Sequence, residues 1–393
     1  MENLVSALDW VGKEVRGILA RVLDDHELSP DHGIRLSEAE GRELQAVVLV
    51  ADEMRRRQAG PVVTYVVNRN INFTNVCIKR CGFCAFSRDH REEEGYLLPL
   101  SEIIRRAKEA WEMGATEVCV QAGLPPQMEG DLYIRLCEAI KAELPDIHIH
   151  GFSPEEVLYG SVRSRCSIRD YLLGLRDAGV GSLPGTSAEI LDQEMRDRIS
   201  PGRITVQQWV EVITTAHRCG IRSTSTLMYG HIETPAHWVA QLRLLRRIQA
   251  ESGGFTEFVP LGFVHQNTLL FHQGIARPGP TLEEHLKIHA LARVLLAGAI
   301  HNIQVSWVKL GRWLSQLCLQ AGANDYGGTL MEENISRLAG ATAGQCLTPE
   351  EFHQRILELG RIPAERNTTY SRIRKYPEIG HSSAVPAAAE AGA

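Results

Sequence analysis

The stretch VVNRNINFTNVCIKRCGFC (66–84) decides the fold: a β-rich run reaches Phe73 and leads directly into three closely spaced cysteines. Downstream, short β-rich runs alternate with longer segments of helical period, the pattern of βα units around a parallel sheet. Strand candidates fall at 66–73, 117–121, 147–150, 181–183, 223–228, 257–261, 303–307 and, more weakly, 323–330. Helical segments at 100–113, 132–144, 168–178, 205–219, 236–251, 281–297 and 311–320 lie between them, each polar on one face. Gly114, Gly179 and Gly220 directly follow three of these helices, where a left-handed residue lets the chain turn back. Eight parallel strands argue for an α/β fold of the (β/α)8 TIM-barrel type. The runner-up is an open doubly wound sheet, but its glycine-rich dinucleotide fingerprint is missing after the first strand.

Outward from the barrel, assigned to 61–348, residues 1–60 read as an N-terminal helical extension with helices at 4–23 and 37–57. Ser37 followed by Glu40 gives a capping-box signal. Residues 349–378 read as a C-terminal helix at 350–358 and an Arg-rich strap at 361–374, and 379–393 as a disordered Ala-rich tail without chemistry.

With 393 residues, 44% hydrophobic and 23% charged, the chain can bury a large core, which excludes a collagen or a disulfide knot. Lys+Arg 42 against Asp+Glu 48 leaves no electrostatic bias toward nucleic acid or an anionic membrane. No run of apolar residues is long enough to span a bilayer, and Glu2, Asp9 and Glu14 sit where a signal peptide would be basic and then apolar. These features predict a cytoplasmic protein acting on small molecules. Its nine cysteines are then expected as reduced thiols, so a tight cluster of them needs a metal or a mechanism.

Cys77, Cys81 and Cys84 form that cluster, on the loop after the first strand, and barrel active sites form on such loops. Three thiolates from one loop can hold three corners of a [4Fe-4S] cube, leaving one iron open. That iron can chelate S-adenosyl-L-methionine, and an electron passed to the sulfonium then yields a 5′-deoxyadenosyl radical. A structural zinc with His90 as fourth ligand is the blander alternative, but the loop lacks a second cysteine pair. Cys119, Cys137, Cys166, Cys219, Cys318 and Cys346 are scattered and read as small buried hydrophobes.

The CxxxCxxC spacing, with Phe83 before the last cysteine, resembles the radical S-adenosylmethionine superfamily. HIHGFSPEE (148–156), GSLPGTSAEILD (181–192), STSTLMYGHIET (223–234), GGFTEFVPLGFVH (253–265) and GANDYGGTLMEE (322–333) resemble the branch that makes deazaflavin and menaquinone precursors. Over roughly residues 45–372 the likeness is greatest to the family of 5-amino-6-(D-ribitylamino)uracil–L-tyrosine 4-hydroxyphenyl transferases. It implies cleavage of L-tyrosine between its α and β carbons and transfer of a 4-hydroxybenzyl fragment to the aminouracil. The by-products would be 2-iminoacetate, methionine and 5′-deoxyadenosine. The alternative within the branch is aminofutalosine synthase. One cluster loop and one barrel imply one activity, with ring closure left to a separate radical enzyme subunit and the electron supplied by a donor protein.

Cofactor-binding candidates follow from position and resemblance together. Gln121 and Gly123 end the second strand, and the glycine resembles a motif that approaches the methionine amino group; a plain turn is the alternative. Phe83 would lay its backbone near the adenine. Glu189, with Ser187 as a cap for the next helix, could accept from ribose or an ammonium, or merely balance a helix dipole. His148 and His150 share one strand face and should enter the barrel together, as ligand contacts or as core histidines.

For acid–base work on tyrosine, Tyr229, His231 and His265 are candidates by position, with Glu233, Asn324 and Asp325 nearby. Arg277 could clamp a carboxylate or simply be solvated, and Trp307 and Trp313 could wall the site or pack the core.

Overall fold

The computed structural model describes residues 8–89 and 94–376. The start of the helix expected at 4–23, His90 and the tail 379–393 therefore lie wholly or partly outside the described residues. The strands are β1 (Val62–Val66), β2 (Asn68–Ile71), β3 (Glu117–Val120), β4 (His148–Gly151), β5 (Val180–Leu183), β6 (Arg222–Tyr229), β7 (Phe255–Gly262), β8 (Asp325–Gly328), β9 (Ile362–Arg366) and β10 (Ile373–Lys375).

β2 to β7 pair in sequence order, every pair parallel. β1 and β2 are one strand interrupted at Val67, and β1 pairs in parallel with β8. In space between β7 and β8 lies a short extended segment, Ile303 and Gln304, too short for a regular strand. It closes the ring through the parallel bridges Phe258–Ile303 and Gln304–Asp325. The expected seventh strand at 303–307 is thus reduced to a bridge, because Trp307 already opens the next helix, Trp307–Gln320. Gly311 in that helix is non-helical (φ 68°) and isolates its first turn, so a helix starting at Gly311 is the regular part. This is the TIM-type barrel, with eight strand positions around one axis.

The helices form where an apolar stripe and a cap coincide. In Val206–Arg218, Trp209, Val212, Ile213 and Ala216 are buried at helical spacing, and Thr205 and Gln208 make a capping box. Gly114, Gly179 and Gly220 do adopt positive φ, at 86°, 103° and 81°. Leu282–Leu295 departs from the one-polar-face expectation. His285 and Lys287 through Leu295 are all buried, because the N-terminal helices Pro30–Ser37 and Gly41–Ala59 cover its outer side. In that extension Ser37 ends a helix rather than starting one, and its Oγ bonds back to the Ile34 carbonyl 2.7 Å away. The cap that begins this helix is Ser29, followed by Pro30 at N1. A helix at Pro154–Ser164, capped by Ser153 and Glu156, was not foreseen.

The Arg-rich strap is more than a strap. β9 pairs in parallel with β1, with β10 antiparallel to it, and carries Arg366 into the interior at the strands' N-terminal end. There Arg366 Nε lies 2.6 Å from Asp325 and Nη2 3.1 Å from Glu257. A buried carboxylate pair without a cation would be strongly unfavourable, so this arginine lets β8 and β7 keep their inward acids. Arg366→Met should therefore lower stability by about 3–5 kcal/mol. Urea unfolding followed by circular dichroism checks this, and a loss below about 1 kcal/mol would contradict it.

Candidate functional site

β2 ends at Ile71, and the loop after it is held by backbone contacts to three other segments. Gly123 N donates to the Thr74 carbonyl (2.8 Å) and Ile78 N to the Leu124 carbonyl (2.8 Å), fixing the loop on the exit of β3. Gly82 N donates to the Ile199 carbonyl (2.9 Å), and Leu270 N to the Gly82 carbonyl (2.9 Å). A Cβ on Gly123 would stand 2.3 Å from the Val76 carbonyl oxygen, so only glycine permits this approach. Gly123 thus has a reason beyond turn geometry, one internal to the protein.

Cys77, Cys81 and Cys84 line one cavity of about 150 Å³, together with Phe83, Gln121 and Gly123. Among the described residues, no three His, Cys, Asp or Glu side chains gather closely enough to share a single ion. Three sulfurs spread around one cavity suit a polynuclear iron–sulfur group, whose corners lie further apart. Burial pushes the Cys81 thiol up to about 12 and raises Cys77 as well, with Arg203 opposing the rise at Cys81. Thiols in this setting need bound metal to become thiolates, so the donor set fits such a group.

A buried ionic network borders the thiols, and sequence reading missed most of it. Arg203 pairs with Glu155 (3.1 Å) and Glu189 (2.9 Å), and its guanidinium stands 5.7 Å from the Phe83 ring. Lys79 reaches Glu155 (3.3 Å) and Arg196 reaches Glu189 (3.5 Å). Three cations thus face two ion-paired carboxylates, while Glu156, a third carboxyl lining the cavity, is pushed up to about 7 by burial. Glu156 holds the neighbouring backbone, accepting from Ala122 N at 2.9 Å while capping its own helix. Glu155 and Glu156 lie within 148–156, a stretch that stood out in the sequence without its acids being assigned.

A second cavity of about 140 Å³ shares Phe83, Cys84, Thr186, Ser187, Glu189 and Ile335 with the first. Its other walls are largely apolar, including Met228, Leu261, Phe263 and Val264, and Lys309 also lines it. Ser187 and Glu189, on the wall between the cavities, have left-handed φ values of 63° and 38°. Such conformations cost about 1–3 kcal/mol each and persist where surroundings impose them. Here Met228 N binds the Glu189 carbonyl at 2.7 Å, and two arginines hold its carboxylate. Ser187 does not cap the next helix, which begins at Gln193 with Asp192 as its cap. A larger groove of about 970 Å³ opens on the outer helices around Ile34 and Arg243, but no cysteine or histidine lines it.

The remaining sequence candidates lie elsewhere. His148 and His150 both meet Ser182 Oγ, at 2.7 Å each, inside the barrel, and burial lowers both away from protonation. Tyr229 is fully buried against Trp238, and its hydroxyl meets His285 Nδ1 at 2.7 Å. His231 is buried between the Met228 carbonyl (3.1 Å) and Glu233 (3.2 Å). Glu233 accepts from Gly230 N, His231 N and Trp238 Nε1, and Arg277 is divided between Glu233 and Glu284. His265 is half-buried past β7, its ring 4.4 Å from Phe271. Asn324 and Asp325 close the barrel, bound by Arg293 and Arg366. Trp307 packs in the hydrophobic core, donating to the Gly328 carbonyl (2.9 Å) and lining neither cavity, whereas Trp313 is 78% exposed and walls nothing.

Comparison with known proteins adds independent observations. Residues 71–245 match the radical SAM superfamily, and residues 252–379 match the CofH/MqnC C-terminal region. The chain is 48% identical over 356 residues to the 5-amino-6-(D-ribitylamino)uracil–L-tyrosine 4-hydroxyphenyl transferase of Methanothermobacter thermautotrophicus, covering 91% of this chain and 97% of that protein. It is 50% identical over 354 residues to the FO synthase of Nocardia farcinica, covering 90% of this chain but only 41% of that protein. The chain thus spans about two fifths of the FO synthases it matches. Among solved structures, methylornithine synthase (PylB) superposes with TM-score 0.70 at 20% identity, over 88% of this chain and 97% of that one. The hydrogenase maturase HydG of Carboxydothermus hydrogenoformans gives 0.71 at 16% identity, over 94% and 84%. At these identities the likeness is one of fold.

Gly123→Ala should cost about 1–3 kcal/mol by overpacking against Val76, relieved by displacing the cysteine loop. After anaerobic reconstitution, the variant should bind less iron than the parent while keeping its far-ultraviolet circular dichroism. Equal iron content would show that the close approach does not govern the loop.

Proposed function

The chain belongs to the 5-amino-6-(D-ribitylamino)uracil–L-tyrosine 4-hydroxyphenyl transferase family within the radical SAM superfamily, and from that premise we propose that it transfers the 4-hydroxybenzyl fragment of L-tyrosine to 5-amino-6-(D-ribitylamino)uracil. The product would be the precursor of the deazaflavin 7,8-didemethyl-8-hydroxy-5-deazariboflavin (FO), with 2-iminoacetate, methionine and 5′-deoxyadenosine released. The observation that carries the proposal is the lining of three loop thiols around one cavity, joined to a second, apolar cavity.

Cys77, Cys81 and Cys84 would hold the [4Fe-4S] cluster. When bound, the cluster and S-adenosyl-L-methionine supply a one-electron cleavage that generates the 5′-deoxyadenosyl radical. The chain's own residues bind, orient and balance charge. Arg203 and Lys79, already shared with Glu155 and Glu189, would offset only part of the negative charge of three thiolates, and Phe83, Gln121, Gly123 and Glu189 would border the space for the nucleotide. Proximity is the main requirement, and the wall shared by the two cavities keeps substrate and nucleotide adjacent.

Tyr229 is assigned a supporting role, since its hydroxyl already meets His285, whereas His231 binds the Met228 carbonyl through Nε2 and leaves a buried Nδ1 near Glu233 without a hydrogen bond. His265 keeps a ring without a hydrogen bond to another described residue, and burial lowers it toward the neutral imidazole. It lines neither cavity, so a part in proton transfer would have to be played from outside the space they enclose. His150 is assigned to the barrel interior with Ser182.

A separate radical enzyme would close the deazaflavin ring, and an electron-donor protein would reduce the cluster. We place the protein in the cytoplasm, where its nine free cysteines would stay reduced. No described helix is long and apolar enough to cross a membrane.

Anaerobic incubation with L-tyrosine, the aminouracil, S-adenosyl-L-methionine and dithionite, followed by mass spectrometry, tests the assignment. Free 5′-deoxyadenosine and the benzylated pyrimidine are expected. Covalent incorporation of the adenosyl group into an enolpyruvyl substrate would point to aminofutalosine synthase instead. The parent should bind about four irons. Cys81→Ala should lose turnover and most of the brown absorbance, and a variant that still turns over would refute the ligand assignment.

A further inference from the structure

Lys309 begins from the seventh strand position, in the first turn of the helix Trp307–Gln320, and lines the second cavity. Its ammonium is held by Ser336 Oγ at 3.1 Å. Ser336 is fixed in turn by Glu333, whose two carboxylate oxygens each accept from Ser336 N at 3.0 Å. Glu333 is therefore occupied with the start of the short helix Ile335–Ala339, while the direct partner of the Lys309 ammonium is the Ser336 hydroxyl. Glu189, the other charged residue lining this cavity, is paired with Arg203 and Arg196. Glu333 still favours the charged amine from beyond ion-pair distance, but among the described residues no carboxylate lies within 4.0 Å of the Lys309 ammonium.

A partly buried ammonium whose only direct partner is a neutral hydroxyl, with its nearest carboxylate beyond ion-pair distance, is poorly compensated. Burial accordingly lowers the Lys309 amine from its ordinary value. An anionic group on a ligand would supply the missing counter-charge. The rest of the cavity narrows the choice: Phe83, Met228, Leu261 and Phe263 offer apolar surface suited to an aryl ring, and Cys84 marks the side facing the cluster loop. A ribityl pyrimidine, uncharged and rich in hydroxyls, would find few partners on these walls. An aromatic amino acid, with one carboxylate and one ring, matches them.

We propose that Lys309 anchors the α-carboxylate of the tyrosine substrate, with the aryl ring against the apolar wall of the second cavity. The inference rests on the functional reading above and adds a positioning residue to it. Ser336 acts through Lys309, holding the ammonium in place.

The test uses reconstituted holoenzyme, with the KM for L-tyrosine and for the aminouracil measured separately, and tyramine as the probe that lacks the carboxylate. Tyramine should bind the parent about tenfold or more weakly than L-tyrosine, as expected for one lost charge-assisted bond. In Lys309→Met the KM for tyrosine should rise by a similar factor, the KM for the aminouracil should hold, and the preference for tyrosine over tyramine should collapse. Lys309→Arg should restore much of that preference, and Ser336→Ala should weaken it without abolishing it. A parent that consumes no tyrosine overturns the functional reading and the anchor with it. A parent that consumes tyrosine but binds tyramine equally well overturns the anchor alone. So does a Lys309→Met enzyme that retains its discrimination, or one whose defect falls on the aminouracil.

Discussion

The mouth of this barrel depends on the approach of two backbones, Gly123 against Val76, with no room for a side chain between them. A loop carrying three cysteines cannot position them by hydrophobic burial alone, because thiols that must reach a metal cannot also be sealed in the core. Their placement comes from main-chain hydrogen bonds to the exits of neighbouring strands. A loop fixed in this way loses little further entropy when it closes around a ligand, and this is the physical meaning of preorganisation.

Charge is handled by the same device at both ends of the barrel. At the strands' N-terminal end Arg366 lies between Asp325 and Glu257, and beside the thiols Arg203 lies between Glu155 and Glu189. Buried pairs of this kind are weak net sources of stability, since desolvation offsets most of the attraction. What they supply is uniqueness of arrangement. Arg366 arrives from β9, a segment remote in sequence, and joins residues of β7 and β8. Arg203 joins the start of the helix Pro154–Ser164 to the turn after β5. Each fixes the relative position of elements that apolar packing would let slide.

Most of the barrel was legible because its signals are local. Alternation marks strands, stripes and caps mark helices, and Gly114, Gly179 and Gly220 mark the returns. The seventh strand was over-read, since the β-rich run 303–307 looks like any other while the closing ring leaves room only for bridges there. β9 and β10 escaped because an arginine-rich run is depleted in the residues that announce a strand, and its partner β1 lies some three hundred residues earlier. At the site, the CxxxCxxC spacing carried its own meaning. The ranking of Tyr229 and His150 did not follow from alternation, which gives a face but not which polar atom already has a partner. Arg203 and Lys309 were passed over for the complementary reason: a lone cation in sequence is most often solvated, and only the tertiary structure shows these two withdrawn from water.

Two small cavities with a common wall suit chemistry in which one ligand acts on another better than a single large one would. A single large space would hold both ligands but leave their separation to chance, and a reactive species formed there could meet either partner or water. Here Phe83, Thr186, Ser187 and Glu189 form a partition; Ser187 and Glu189 are left-handed, and Glu189 is held by contacts from Met228 N, Arg196 and Arg203. In the proposed reaction this strain would fall where two ligands are kept apart until they react, yet close enough that no diffusion intervenes. A partition of this kind explains why the network around Glu189 is so heavily tied. Its carboxylate is withheld from the second cavity, and Lys309 remains the charge in that space free to meet an incoming anion.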